Sequence, residues 1–322
     1  MALSLQAKAV ELGFRMRNLA VKTRFAILTA ITLLWPYSMR TVRTVPDTEE
    51  ERARARLLTY FIDNPERVFY SRQLEVMFEA QFFHWVTNRA LRGLIAEGHV
   101  LMEERRLDIG SSIKLVWFRT YRFYKRSANE VFELVNRYTN SATDGTLGMQ
   151  GEHLVLAAFA RNRFLLEGEA VNDHGGVKWT ESNHDLDFVF SRDGTGYGIE
   201  VKNTLGYMDV DEFVTKVRLS LHLGINPVFA VRALPKTWIE ALVRAGGFAL
   251  VMRYQFYPWT HKHIADEIRN SLHLPVDTPK RIELGTMQRL EDWISDPDKH
   301  RQPDSAKVER LLARIQEANK PS

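Results

Sequence analysis

Four side chains carry the chemistry open to this sequence: Glu152, Asp187, Glu200 and Lys202. The last three lie in two apolar runs, around Leu186 to Phe190 and Ile199 to Val201, separated by a loop containing Asp193-Gly194. An Asp-Gly pair between such runs is a strong hairpin signal, because both residues tolerate the positive φ of a tight turn. Centring the turn there sets Asp187 opposite Glu200 and Asp185 opposite Lys202. The strand period of two then gathers these four on one face, with Leu186, Phe188, Phe190, Ile199 and Val201 on the other. Carboxylates facing each other across two strands, at about 5 Å between Cβ atoms, repel and destabilise a hairpin. A divalent cation between them reverses that sign, so the hairpin reads as half of a metal site.

Glu152 belongs to a helix predicted from about Leu147 to Arg163. Val155, Leu156 and Phe159 follow it at spacings of 3, 4 and 7, which places its carboxylate on the same inward face. A carboxylate turned toward a core is costly unless something neutralises it. The alternative is a first-turn glutamate that favours the helix dipole and stays half solvated. The chain has no cysteine, which excludes disulfides, thiolate catalysis and cysteine-based zinc sites. Oxygen ligands or histidine must hold any metal, and they favour hard ions such as Mg²⁺ or Mn²⁺.

The elements that must position these groups follow from the rest of the chain. Its 322 residues, 45% apolar and 26% charged, suit a soluble protein of two ordinary domains. Residues 1–150 hold 22 Lys and Arg against 16 Asp and Glu, while the remainder holds 22 against 24. A basic front half suits a polyanion such as nucleic acid. No run reaches the roughly 18 apolar residues of a membrane span, so a cytoplasmic chain without membrane contact is expected. The apolar Phe25 to Trp35 segment, preceded by five basic residues, reads as a packed or dimerising helix rather than a signal peptide.

Residues 1–45 read as basic helices. A first front-domain helix holds Leu57, Leu58, Phe61 and Ile62 and ends at Asn64-Pro65, and Ser71 is the expected N-cap of a second. A third runs from about Phe82 to Glu97, with Phe83, Val86, Ala90, Leu91 and Leu94 inward and Trp85, Asn88, Arg89 and Arg92 outward. Val100 to Phe118 reads as a two-stranded ribbon with a polar tip. This pattern, over roughly 50–123, resembles a winged helix-turn-helix domain. The resemblance implies that Asn88, Arg89 and Arg92 face DNA, since Asn and Arg make bidentate base contacts in the major groove. Winged helices also serve as protein-binding modules, and that alternative stays open.

A helix over 127–139 and a polar linker from Asn140 to Gly148 precede the second half. The expected boundaries are 1–45, 46–140, 141–260 and 261–322. Beyond Lys202, Asp209 or Asp211 caps a helix, Pro227 to Arg232 is a strand, Pro235 opens a helix and Phe248 to Tyr257 is a further strand. Lys307 to Ala318 closes the chain as an amphipathic docking or dimer helix. The fold class is α/β (α+β), a mixed sheet flanked by helices behind a mainly helical front domain.

Glu152, Asp187, Glu200 and Lys202, on helix, strand and strand, resemble the PD-(D/E)xK nuclease superfamily, with its restriction-endonuclease-like fold. The resemblance covers roughly residues 147–257. It departs from the family pattern in having Leu186 where proline precedes the first acid, and in lacking Gln-x-x-x-Tyr after Lys202. It implies that Asp187, Glu200 and the Val201 carbonyl bind Mg²⁺ (or Mn²⁺), that Glu152 completes that site or holds a second ion, and that Lys202 orients or helps deprotonate the attacking water. A DNA endonuclease follows, expected as a homodimer because cutting two strands usually needs two sites. A non-catalytic DNA-binding regulator and an RNA-acting or partner-triggered nuclease are the alternatives.

Overall fold

The computed structural model describes residues 48–142, 145–296 and 303–319. The expected basic helices of residues 1–45, including Phe25 to Trp35, lie outside the described residues.

The front of the chain runs α1 (Thr48–Asp63), β1 (Val68–Tyr70), α2 (Ser71–Met77), α3 (His84–Ala96), β2 (Val100–Arg106) and β3 (Ser112–Phe118). The last two form the expected ribbon, in register from Val100 opposite Phe118 to Arg106 opposite Ser112. β1 joins its other edge, giving the order β1-β3-β2. The helices close over this sheet through Leu57, Phe61, Leu74, Ala90, Leu91 and Leu94, which cluster with Phe69 of β1, all buried. Two local expectations are corrected. Ser71 is the first helical residue rather than the cap, and the amide of the preceding Tyr70 donates to Gln73 Oε1 at 3.2 Å. Phe83 is only half-buried, because it precedes α3 and stacks on Trp85 with ring centroids 4.6 Å apart.

Next come α4 (Tyr124–Ala142), α5 (Thr146–Arg161), β4 (Leu165–Val171), the small hairpin β5 (Asp173–His174) and β6 (Val177–Lys178), β7 (Leu186–Arg192), β8 (Thr195–Lys202), α6 (Val210–His222), β9 (Asn226–Val231), α7 (Lys236–Arg244) and β10 (Phe248–Val251). Five of these strands build one mixed sheet in the order β10-β9-β8-β7-β4. The pairs β4/β7 and β7/β8 are antiparallel, while β8/β9 and β9/β10 are parallel. Parallel neighbours need a crossover, and α6 and α7 supply the two. The expected strand from Phe248 to Tyr257 is interrupted at Arg253, whose φ is 69°, and resumes as β11 (Gln255–Phe256). The chain ends with α8 (Lys262–Leu272), β12 (Val276–Asp277), α9 (Leu284–Ile294) and α10 (Ser305–Asn319).

Helices cover both faces of the mixed sheet. Leu154, Val155, Ala158 and Phe159 of α5 pack on Phe188, Phe190, Ile199 and Val201, and Met287, Leu290 and Trp293 of α9 extend that layer. On the opposite face Phe213, Val214 and Val217 of α6 and Trp238 of α7 meet Phe229 and Val231, with Val308, Leu312 and Ile315 of α10 closing the cluster. The C-terminal helix therefore docks on its own chain.

The described residues form one compact unit. Its front and rear parts share a core in which Val68, Val76 and Trp117 meet Leu147, Leu205 and Tyr257. Among the described residues, no helix is long and apolar enough to cross a membrane.

Candidate active site

The turn between β7 and β8 has Asp193 at φ 52° and Gly194 at φ 78°, the two positive values a two-residue hairpin requires. The ladder runs from Arg192 opposite Thr195 to Phe188 opposite Ile199, and the same register sets Asp187 beside Glu200. Main-chain pairing between β7 and β8 ends at Phe188, and beyond it the Asp187 carboxylate takes over. Its Oδ2 accepts the Val201 amide at 2.7 Å. Asp187 is therefore held to the partner strand by its own side chain.

Glu200 and Lys202 project to the face that α6 covers, so the acid face is enclosed rather than open. Glu200 is 2% exposed. Burial first, and the neighbouring Asp187 second, push its carboxyl up to about 8, while Lys216 and Lys202 pull it back. Burial also raises Asp187 above the ordinary carboxylate range, against the pull of Lys216, the Val201 amide and Lys202. Glu152 comes from the opposite layer, on the second turn of α5, and is half-buried. It too is raised, by burial first and then by the charge of Asp187.

The approach of α5 depends on Gly151. A Cβ there would stand 2.7 Å from the Cβ of Asn203, so only glycine lets the helix cross the end of β8 this closely. Asn203, 5% exposed, fastens the crossing. Its Nδ2 donates to the Leu147 carbonyl at 2.6 Å and the Phe256 carbonyl at 2.7 Å, and its Oδ1 accepts the Phe256 amide at 2.6 Å.

Two ammonium groups meet the acids. Lys202 Nζ lies 4.0 Å from Glu200 Oε1 but bonds Glu212 Oε1 of α6 at 2.5 Å. Lys216, two turns into α6 and 5% exposed, stands 2.5 Å from Glu200 Oε2 and donates to the main-chain carbonyl of Asp185. Burial works to lower both amines, yet both are raised, Lys202 chiefly by Glu212 and Glu200, Lys216 chiefly by Glu200 and Asp187. Sequence reasoning missed Glu212, Lys216 and Asn203. The capping expectation locates α6, since Asp209 accepts the amides of Asp211 at 2.8 Å and Glu212 at 3.1 Å, but not its covered polar face.

The donor set suits a hard divalent cation. Glu200 is desolvated, Asp187 beside it raises its proton affinity further, and the main-chain carbonyl of Val201 lies between Glu200 and Lys202 in sequence. Among the described residues, no three carboxylate or imidazole groups are drawn together as a ready cluster.

Two of the three expected DNA-facing residues of α3 have partners within the chain. Asn88 Nδ2 donates to Glu75 Oε1 at 2.8 Å and Arg89 Nε to Glu50 Oε2 at 3.0 Å, so both half-buried groups are engaged by α2 and α1. Arg92 is exposed. Just before α3, Glu79 receives both arms of Arg232, at 2.6 Å each, and His84 Nε2 lies 3.0 Å from it. The His84 ring stacks on Tyr207 at 4.0 Å, in the loop between β8 and α6. The start of α3 is thereby tied to the loop that leaves Lys202.

The chain matches no protein-family model, and no curated protein or solved structure is similar enough to it to count as a relative.

Proposed function

We propose that this protein is a metal-dependent nuclease that hydrolyses phosphodiester bonds of DNA. One observation carries the proposal: the buried carboxylate of Glu200 and the half-buried one of Asp187 lie side by side on a hairpin with Lys202 and Lys216 against Glu200, and a third carboxylate, Glu152, is raised by Asp187. A purely structural core has little use for such a desolvated acid pair. The element order α5-β4-β7-β8-α6-β9 supports a restriction-endonuclease-like core. The order α1-β1-α2-α3-β2-β3 supports a winged-helix front domain.

A bound Mg²⁺ or Mn²⁺ would supply charge to offset the phosphate oxygens and acidify a water. Asp187, Glu200 and the Val201 carbonyl would hold it, with Glu152 as a further oxygen ligand. Lys202, 31% exposed at its side chain, is the amine with access to solvent. It orients the attacking water and stabilises the hydroxide as charge develops. The exposed Arg92 and the β2–β3 ribbon contribute phosphate contacts, which position the duplex without reading sequence. Two copies are needed for a double-strand cut in one encounter.

A specific observation favours a second function, a DNA-binding regulator that keeps the cluster as a scaffold: Glu200 and both ammonium groups are paired within the chain. A cleavage panel of duplex, four-way junction, flap, single strand and RNA, each with Mg²⁺ and with Mn²⁺, separates the two. Metal-dependent cutting of a DNA substrate is the expected result. Salt-sensitive binding with no cutting of any substrate in either metal would leave the regulator.

A further inference from the structure

The acid face holds one more fixed positive charge than its hairpin supplies. Lys202 lies at the rim and leans toward Glu212. Lys216 lies inside, with its ammonium between Glu200 Oε2 and the Asp185 carbonyl, and Asp187 acts on it as well. α6 holds it there from both sides. Phe213, Val214 and Val217 anchor the helix in one apolar cluster and Leu219 and Leu223 in another, so the Lys216 side chain is directed at the hairpin. A buried ammonium is costly unless paired, and a buried acid pair is costly unless neutralised. Each satisfies the other here.

We propose that Lys216 is a built-in cation of the site, whose ammonium fills the Glu200 Oε2 side and limits the acid pair to a single divalent ion. This rests on the metal-dependent assignment above. A two-ion site needs a second cation against the same carboxylates, and the space and charge for it are already taken. The remaining ligands, Asp187, the other oxygen of Glu200 and the Val201 carbonyl, serve one ion. Lys216 is a positioning residue in this arrangement. It fixes Glu200 and sets the ion count, and Lys202 remains the amine that meets the water.

The test counts ions rather than turnover. Full-length protein at pH 8 is titrated with Mn²⁺ alone, and free Mn²⁺ is followed by its electron paramagnetic resonance signal. The wild type is expected to bind one ion per chain, Lys216→Arg also one, and Lys216→Gln two. Two ions in the wild type, or one in a folded Lys216→Gln variant, would overturn the proposal. Should the Gln variant fail to fold, the wild-type count decides alone. No bound ion in the wild type would instead overturn the metal assignment beneath it.

Discussion

Asp187→Asn is expected to remove metal-dependent cleavage, by about 10³-fold or more, while leaving the fold intact. The size follows from taking away one charged ligand of a site whose task is to offset developing phosphate charge, where single preorganised groups are commonly worth about 10²–10³-fold. The fold survives because an Asn oxygen still accepts the Val201 amide that Asp187 holds at 2.7 Å. Glu200→Gln is a poorer probe, since it leaves the buried ammonium of Lys216 without its charge partner at 2.5 Å. Lys202→Ala is expected to lose about 10²–10⁴-fold, the usual range for a positioned proton-transfer group. Plasmid nicking in Mg²⁺ by the purified variants measures both. Rates within tenfold of wild type would show that these groups do not act on the scissile bond.

The largest stability effect is expected at the joint between the front and rear parts. Glu79→Ala strips both arms of Arg232, which is 2% exposed and makes two bonds of 2.6 Å to that carboxylate. Breaking a buried pair by removing one partner costs about 3–5 kcal/mol, because the remaining charge is left desolvated. Arg232 keeps the Leu205 carbonyl, through Nε at 3.0 Å, so the lower end of that range is expected. In a unit of this size each kcal/mol lowers the melting temperature by about 2–4 °C. A scan at neutral pH should therefore show a fall of about 6–12 °C. Burial would raise Glu79, but its bonds to Arg232 and His84 hold it below the ordinary carboxylate range. Its stabilisation is therefore present above the unfolded value and lost as pH falls through the folded one. Wild-type and variant curves should converge in acid. A melting temperature unchanged at neutral pH would mean that the joint carries no stability.

How much of this was legible in the sequence differs residue by residue. The hairpin register was, because Asp193-Gly194 fixes a turn, but the alternation breaks at Leu186, which was expected beside Phe188 and Phe190 and packs instead with Leu219 and Leu223 on the α6 side. The place of Glu152 was, because helical spacing ties it to Val155 and Phe159. Lys216 was not. At four residues from Glu212 on an amphipathic helix it looks like an ordinary surface ion pair, and only the layering of α6 over the acid face buries it. The partners of Asn88 and Arg89 were not legible for a related reason. Periodicity identifies the side of α3 away from its own core, but not that Glu50 and Glu75 of neighbouring helices occupy that side. β4 is mostly exposed, with a register shift between Leu166 and Gly168 and Ala170 at φ 52°, so it has no clean alternation to recognise. The four-part division of the chain overlooked the core shared by Val68, Trp117, Leu147 and Tyr257, since long-range packing leaves no local mark.

The central claim is that Asp187 and Glu200 form an acid pair made for a divalent cation, and thermal stability with and without metal tests it most directly. All three site carboxylates are raised, Glu200 to about 8, so the folded chain holds their protons more tightly than the unfolded chain does. Their contribution to stability is then fullest below the unfolded value and lost as pH rises toward 8. A bound ion takes the place of the protons, and at a hundredfold excess over its dissociation constant it restores about 2.7 kcal/mol. Saturating Mn²⁺ should raise the melting temperature by several degrees at pH 8, by much less at pH 5.5, and not at all in Asp187→Asn. A shift that is absent at pH 8, equal at both pH values, or kept by Asp187→Asn would contradict the account.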